Sequence, residues 1–405
     1  MSVQISCPPY VRTVLRALQQ AGHEAYIVGG CVRDSLLGSA PKDWDVTTSA
    51  YPEQTEQAAE AAGLKTFRTG IKHGTISVLC EGKTVECTTY RIDGAYKDSR
   101  HPESVRFTPN LKEDLARRDF TVNAMAATSA DDGWEIIDPF DGQGDLRAGI
   151  IRCVGNPIKR FGEDALRMLR GVRFAARLGF VIEDKTANAM YACAGGLKSI
   201  SRERVREELM GILQSADPEG AIKTLKKRGL IKFTFPLVDV TGAAKGVNAT
   251  PADQPLFRLA YLLYEASDEE VQKTVSDLKM SGADSRYVRT VLGCRGERLE
   301  NTPLFARQMI ARYGEYAQPA LALRAAKGED TAALSAILEE QIRMGVCVRV
   351  ADLAVNGADL AEIGIPKGRE MGNLLNALLQ KVMQDPACNQ KEVLLALAAQ
   401  MYKEK

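Results

Sequence analysis

An α/β head followed by an all-helical remainder is the architecture this 405-residue chain predicts. Three observations carry it. Strand-like apolar runs cluster before Asp138. Apolar residues at helical spacing take over at Pro157, with Ile158, Phe161, Leu166, Leu169, Val172, Phe174 and Leu178. From Ser201 onward nearly everything reads as helices of about 10–20 residues, broken by short Gly, Pro or Asn stretches. The length suits several domains in an elongated arrangement. We expect a head over 1–140, a helical neck over 141–205, a helical body over 206–305 and a helical tail over 306–405.

Taken in order, Val11–Ala21 reads as a short helix. Glu24–Val28 is an apolar strand stopped by Gly29-Gly30. A helix starts at Val32, and Asp43–Thr47 reads as a strand. Thr75–Cys80 and Thr84–Tyr90 are β-rich runs around Glu81-Gly82-Lys83, a hairpin signal. Arg91–Arg106 is polar with Gly and Pro, so a mobile loop is expected. Arg118–Ala127 and Trp134–Asp138 follow as a helix and a strand, and Pro157–Gly179 as one helix.

Composition removes several classes. The net charge is +1, with 45% apolar and 26% charged residues, ordinary for a globular protein. No run of about 18 apolar residues predicts a membrane span. The N-terminus lacks the charged and apolar regions of a secretory signal. Nine cysteines, an odd number without a C-x-x-C pair, argue against a zinc site or disulfide framework. They suit a reducing cytoplasm. No membrane partner is expected, and the protein should be a monomer or homodimer.

Two motifs carry chemistry. Gly29-Gly30-Cys31-Val32-Arg33-Asp34 lies at a strand-to-helix junction. Paired glycines let backbone approach a phosphate, and the helix start offers unpaired N–H groups. Arg33 could fork onto phosphate oxygens. Taken alone, the dipeptide also fits a ligand-free turn. Thirteen residues after Gly30 comes Asp43-Trp44-Asp45. On a strand the two carboxylates share one side, where they repel unless a cation sits between them. A hard divalent ion such as Mg²⁺ does this well. Together the motifs describe a nucleotidyl-transfer head, and Glu86 on the second hairpin strand is the candidate third carboxylate.

The runs GGCVRDSLLGSAPKDWDVTT, TVECTTYR, RRDFTVNAMA and EDALRMLRGVRFAARLGF are strongly similar to the class II tRNA nucleotidyltransferases, the CCA-adding enzymes, whose superfamily also holds bacterial poly(A) polymerases. The tail stretch Asn356–Leu375 resembles the family more weakly. The resemblance implies a polymerase-β-like head with helical neck, body and tail. It implies that Asp43 and Asp45 bind metal and that Asp43, Asp45 and Glu86 form the catalytic centre. Gly29, Gly30, Arg33, Arg118, Asp119, Asn123, Arg170 and Arg173 would contact nucleotide, and Asp164 with Arg167 would read the incoming base. The implied partners are tRNA, through its acceptor and T-arm region and 3′ end, with CTP and ATP.

Asp164 and Arg167 also make sense chemically. Three apart on a helix, they should be neighbours. Asp accepts hydrogen bonds and Arg donates. Cytosine and adenine both present an amino donor beside a ring-nitrogen acceptor, whereas uracil and guanine reverse both points. Two mismatched buried groups, at about 1–3 kcal/mol each, would discriminate by roughly 10²–10⁴. An intrahelical ion pair is the plainer alternative.

Three features bear on which member of the family this is. Histidines occur only at 23, 73 and 101, so a C-terminal His-Asp phosphohydrolase domain is not expected. The polar loop after Arg91 has the full length that the resemblance associates with switching from C to A addition. The C-terminal end QMYKEK shows no basic extension of the poly(A) polymerase kind. Full CCA addition is therefore expected, with poly(A) polymerase or partial CC- or A-addition as the alternative. Pro157–Phe180 carries six cations against two anions, a field suited to triphosphate and RNA. Lys367 and Arg369, at a helix start, are candidate RNA contacts, though an ordinary solvated loop also fits.

Overall fold

A computed structural model describes residues 3–94, 105–130 and 133–403. The described chain forms two compact units. The first comprises Met1–Asn248 with Asp277–Lys279, and the second Ala249–Ser276 with Met280–Lys405. No helix among the described residues is long and apolar enough to cross a membrane.

The first unit opens on α1 (Pro9–Gln20), β1 (Ala25–Val28), α2 (Gly30–Leu36), β2 (Asp45–Thr48) and α3 (Pro52–Ala61). The strands β3 (Lys65–Gly70), β4 (Thr75–Cys80) and β5 (Lys83–Thr89) follow. A small pair, β6 (Arg91–Asp93) and β7 (Val105–Phe107), brackets the rest of the expected mobile loop, most of which lies outside the described residues. Next come α4 (Leu111–Ala116), β8 (Ala126–Ala130) and β9 (Gly133–Ile137).

Seven strands make one sheet in the order β3-β4-β5-β2-β1-β8-β9. All pairings in it are antiparallel except β2 with β5. Val46, Ile76, Val78, Val85 and Cys87 are buried, at 0–1% exposure. Helices α1 and α3 pack against β4 and β5. Burial of that apolar face supplies much of the driving force for the head.

Beyond the sheet run α5 (Gly142–Ala148), β10 (Ile150–Ile151), α6 (Pro157–Glu163), α7 (Leu166–Leu178), β11 (Val181–Ile182), α8 (Asp184–Cys193) and α9 (Arg202–Leu213). Strands β10 and β11 pair in parallel. Helices α7 and α9 pack closely because Gly211 presents no side chain. A Cβ there would stand 2.3 Å from Arg173 Cδ.

Several expectations need correction. Arg118–Ala127 is not a helix: a tight turn of Thr121–Asn123 leads into β8. Phe120, Val122, Ala124 and Met125 are all fully buried, so the segment has no one-sided pattern. The expected helix Pro157–Gly179 is two helices. Asp164 breaks it with an extended backbone, φ −143° and ψ 105°. Strand β2 begins at Asp45 rather than Asp43, and short strands persist past Asp138.

The second unit is built of helices and short turns around two apolar clusters among its described residues. One gathers Ala306, Met309, Leu321, Leu334 and Leu338. The other gathers Leu360, Met371, Leu374, Leu378, Val382 and Leu394.

Candidate nucleotide cleft

Gly29 begins the site. Its φ of +81° is left-handed backbone that side chains disfavour, and a Cβ would approach Arg118 Nη1 to 2.9 Å. Glycine therefore sets both the sharp exit from β1 and the closeness of that guanidinium. Gly30 is the first residue of α2.

Arg33 is buried at 3% exposure. It forks onto Asp34 Oδ1 through Nε (2.8 Å) and Nη2 (2.7 Å), and donates from Nη1 to Asn123 Oδ1. Asn123 Nδ2 donates to Asp119 Oδ1 at 3.1 Å. Arg170 Nε donates to Asp119 Oδ2 at 2.8 Å. Arg173 Nε donates to Glu208 Oε2 at 2.6 Å. Thus α2, the turn before β8, α7 and α9 share one polar network. Burial alone would raise the Asp119 pKa. The Arg170 charge and the Asn123 and Arg170 hydrogen bonds outweigh it and hold the carboxyl at about 2.

Four arginines of α7, Arg167, Arg170, Arg173 and Arg177, recur at helical spacing, so they form one stripe. Phe174 anchors them: the guanidinium carbons of Arg173, Arg33 and Arg170 lie 4.7, 5.1 and 5.4 Å from its ring centroid. Such stacking holds cations near one another without neutralising them.

A cleft of about 480 Å³ opens between these groups. Eight arginines and three aspartates line it. It brings together Gly29, Gly30, Arg33, Asp45, Arg118, Asp119, Asn123, Asp164, Arg167, Arg170 and Arg173. Asp43 and Glu86 are not in its lining. The parallel register pairs Glu86 with Asp45, so neighbouring strands carry them side by side. Asp43, Trp44 and Asp45 alternate exposed, buried, exposed, so Trp44 tethers the loop while both carboxylates face solvent. Partial desolvation at the cleft raises the Asp45 pKa; Arg118 opposes this, and the charges of Glu86 and Asp43 add to it.

Among the described residues no three His, Cys, Asp or Glu side chains converge to cage a metal alone. A magnesium-like ion does not need such a cage. It keeps waters and takes one or two carboxylates plus substrate phosphates. Asp43, Asp45 and Glu86, close enough to repel one another, fit that donor set. Arg118 supplies a second sign of a ligand: its Nε is buried without a hydrogen-bond partner. A buried unmet donor costs about 1–3 kcal/mol, which a phosphate or sugar oxygen would relieve.

Asp164 and Arg167 both reach the cleft, and the intrahelical ion pair that is the plainer alternative does not form between them. Asp164 Oδ1 accepts from the Leu166 N–H (3.0 Å), and Oδ2 from Arg204 Nη2 (2.8 Å). Arg167 Nη1 donates to Glu163 Oε2 (2.7 Å), and Nη2 to the Arg117 carbonyl (3.1 Å). Each group is oriented by a third party. Arg204 is the residue that sequence reasoning missed. It sits 40 positions after Asp164 on α9, beyond any local spacing signal. Lys367 and Arg369 lie in the second unit, exposed at the start of the helix Arg369–Gln384.

Three family models match in succession. They are "Poly A polymerase head domain" over residues 25–152, "Probable RNA and SrmB-binding site of polymerase A" over 179–241, and tRNA nucleotidyltransferase domain 2 over 257–398. The chain is 34% identical over 399 residues to the CCA-adding enzyme of Lactiplantibacillus plantarum, covering 96% of this chain and 95% of that one. It is 36% identical over 395 residues to the CCA-adding enzyme of Lactobacillus delbrueckii subsp. bulgaricus, covering 95% and 96%. The solved Bacillus stearothermophilus CCA-adding enzyme in complex with CTP is similar at a TM-score of 0.84 and 31% identity, covering 98% of this chain and 99% of that chain.

Proposed function

Because this chain belongs to the CCA-adding tRNA nucleotidyltransferases, we propose that it adds C, C and A to the 3′ end of tRNA from CTP and ATP, without a nucleic-acid template. The observation that carries this reading is the cleft that gathers the Gly29-Gly30 turn, Asp45, the arginine stripe and Asp164 with Arg167.

In this reading Gly29, Gly30, Arg33, Arg118, Arg170 and Arg173 hold the triphosphate. Asp119 and Asn123 fix Arg33 and Arg170 in place through the bonds described above. Asp164 accepts from the exocyclic amine of cytosine or adenine, and Arg167 donates to the adjacent ring nitrogen. Positioning and charge neutralisation provide most of the rate.

Nucleotidyltransferases of this family use a divalent metal, and we assign Mg²⁺. Asp43 and Asp45, with Glu86 beside them, would hold it, and when bound it would lower the pKa of the RNA 3′-hydroxyl and stabilise the leaving pyrophosphate. The segments 1–140, 141–205, 206–305 and 306–405 serve as catalytic head, base-reading neck, body and RNA-holding tail, the last through Lys367 and Arg369. All nine cysteines are free thiols, in keeping with a cytoplasmic site of action.

The Asp43→Ala variant tests the metal assignment. It should lose nucleotide incorporation by at least about 10³-fold while binding tRNA as the parent does. Incorporation near the parental rate would remove Asp43 from the centre.

A further inference from the structure

One buried carboxylate lies outside the cleft lining yet holds groups that belong to it. Asp114, on α4, is 0% exposed and does not line the cleft. A buried charge is tolerated when it is both paired and hydrogen-bonded, and Asp114 is both. Its Oδ1 accepts from Arg117 Nε at 2.9 Å and from the Arg91 N–H at 3.3 Å. Its Oδ2 accepts from Thr47 Oγ1 at 3.2 Å and lies 3.6 Å from Arg118 Nη2. Burial alone would raise the Asp114 pKa. The Arg117 and Arg118 charges outweigh it and hold the carboxyl below the ordinary aspartate value.

These partners come from elements around the proposed centre. Thr47 follows Asp45 by two residues on β2, so both point to the same side of the strand. Arg91 is the first residue of β6. Arg117 and Arg118 line the cleft, and their spacing of three and four residues from Asp114 brings them to it around the end of α4. Arg118 is then held twice: Nη1 occupies the space that a Cβ on Gly29 would crowd, and Nη2 faces Asp114. Burial pulls the Arg118 pKa down, and Asp114 is the strongest of the charges opposing it, ahead of Asp45 and Asp119. The guanidinium is thereby oriented, while its buried Nε keeps a donor without a partner.

We infer that Asp114 is a positioning residue for nucleotide binding: it fixes the Arg118 guanidinium in the cleft and ties it to β2 through Thr47 and to the start of β6 through Arg91. The inference rests on the proposed contact between Arg118 and the triphosphate. Fixing a long side chain before the ligand arrives removes the cost of ordering it on binding. A plain brace for the end of α4 would act whether or not Arg118 is present, whereas a positioning residue acts only through it.

A double-mutant cycle read in KM separates the two roles. Asp114→Asn keeps the shape and the Oδ1 acceptor, but it removes the charge that faces Arg118. It should raise the KM for CTP and ATP by roughly 3- to 12-fold, the cost of ordering one long side chain. Its KM for an acceptor minihelix should stay parental, which reports an intact fold. In the Arg118→Ala background, where KM is already raised, adding Asp114→Asn should change it by no more than about 1.5-fold. Thr47→Val keeps the side-chain shape and the Asp114 charge but frees Oδ2 from β2. It should raise the KM for CTP in the same direction, again only when Arg118 is present, and it serves if Asp114→Asn does not fold. Equal rises with and without Arg118, in either pair, would overturn the inference. Parental KM in Asp114→Asn beside a raised KM in Arg118→Ala would overturn the positioning role alone. Parental KM in Arg118→Ala would overturn the Arg118 contact and the inference with it.

Discussion

Gly29 and Asp119 show how single residues set the cleft. An alanine at Gly29 must adopt φ near +81° and crowd Arg118. Left-handed backbone costs about 1–2 kcal/mol for a residue with a Cβ. Displacing the flexible guanidinium is cheap in stability but moves the proposed phosphate ligand Arg118. Gly29→Ala should therefore lower Tm by about 2–6 °C, yet raise the KM for CTP and ATP at least about tenfold. A variant with parental KM would mean that Arg118 does not touch nucleotide. Asp119 makes a prediction about pH. Its folded pKa, about 2, lies below the ordinary aspartate value near 3.9. A depressed carboxylate stabilises the fold above its unfolded pKa and loses that contribution as pH falls to the folded pKa. The effect is on the order of 2 kcal/mol. Parent stability minus that of Asp119→Asn should thus shrink between about pH 5 and pH 2, read by denaturant midpoints. A constant difference would contradict the Arg170 pairing as its cause.

Between elements, the decisive feature is the break that separates α6 from α7 at Asp164. It turns the carboxylate toward Arg204 of α9 instead of along its own helix. If Asp164 reads the base as proposed, Arg204 is a positioning residue for base selection. Arg204→Ala should increase UTP misincorporation relative to CTP by about tenfold while leaving the KM for tRNA unchanged, and Arg204→Lys should restore part of the discrimination. Equal fidelity in all three proteins would show that Asp164 needs no such brace. The sequence carries some of this and not the rest. The β1 strand, the Gly29-Gly30 turn and the β4–β5 hairpin are legible because apolar runs and glycines mark them directly. The helix break is not, since apolar spacing continues across it from Phe161 to Leu166. Strand β3 is hidden for another reason: four of its six residues are exposed at a sheet edge, so no alternation marks it. The run Phe120–Ala127, which leads into and begins β8, is buried throughout, which erases periodicity altogether.

At the scale of the whole molecule, a net charge of +1 conceals the distribution that matters. Eight arginines face one cleft, and the network of Asp34, Asp119 and Glu208 orients several of them without neutralising the surface as a whole. The parallel β2–β5 pairing places two carboxylates side by side in the head, whereas Asp164 and Arg167, which we propose read the base, lie 78 and 81 residues beyond Glu86 at the α6–α7 junction. The central claim is that protein side chains, rather than a template, choose C, C and then A. It is tested most directly by incubating the enzyme with Mg²⁺ and tRNA that ends at the discriminator base, supplying CTP and ATP separately and together. We predict two additions with CTP alone, none with ATP alone, and a completed CCA end only with both. Extension by ATP alone from the discriminator base, or runs of A beyond a single addition, would contradict it.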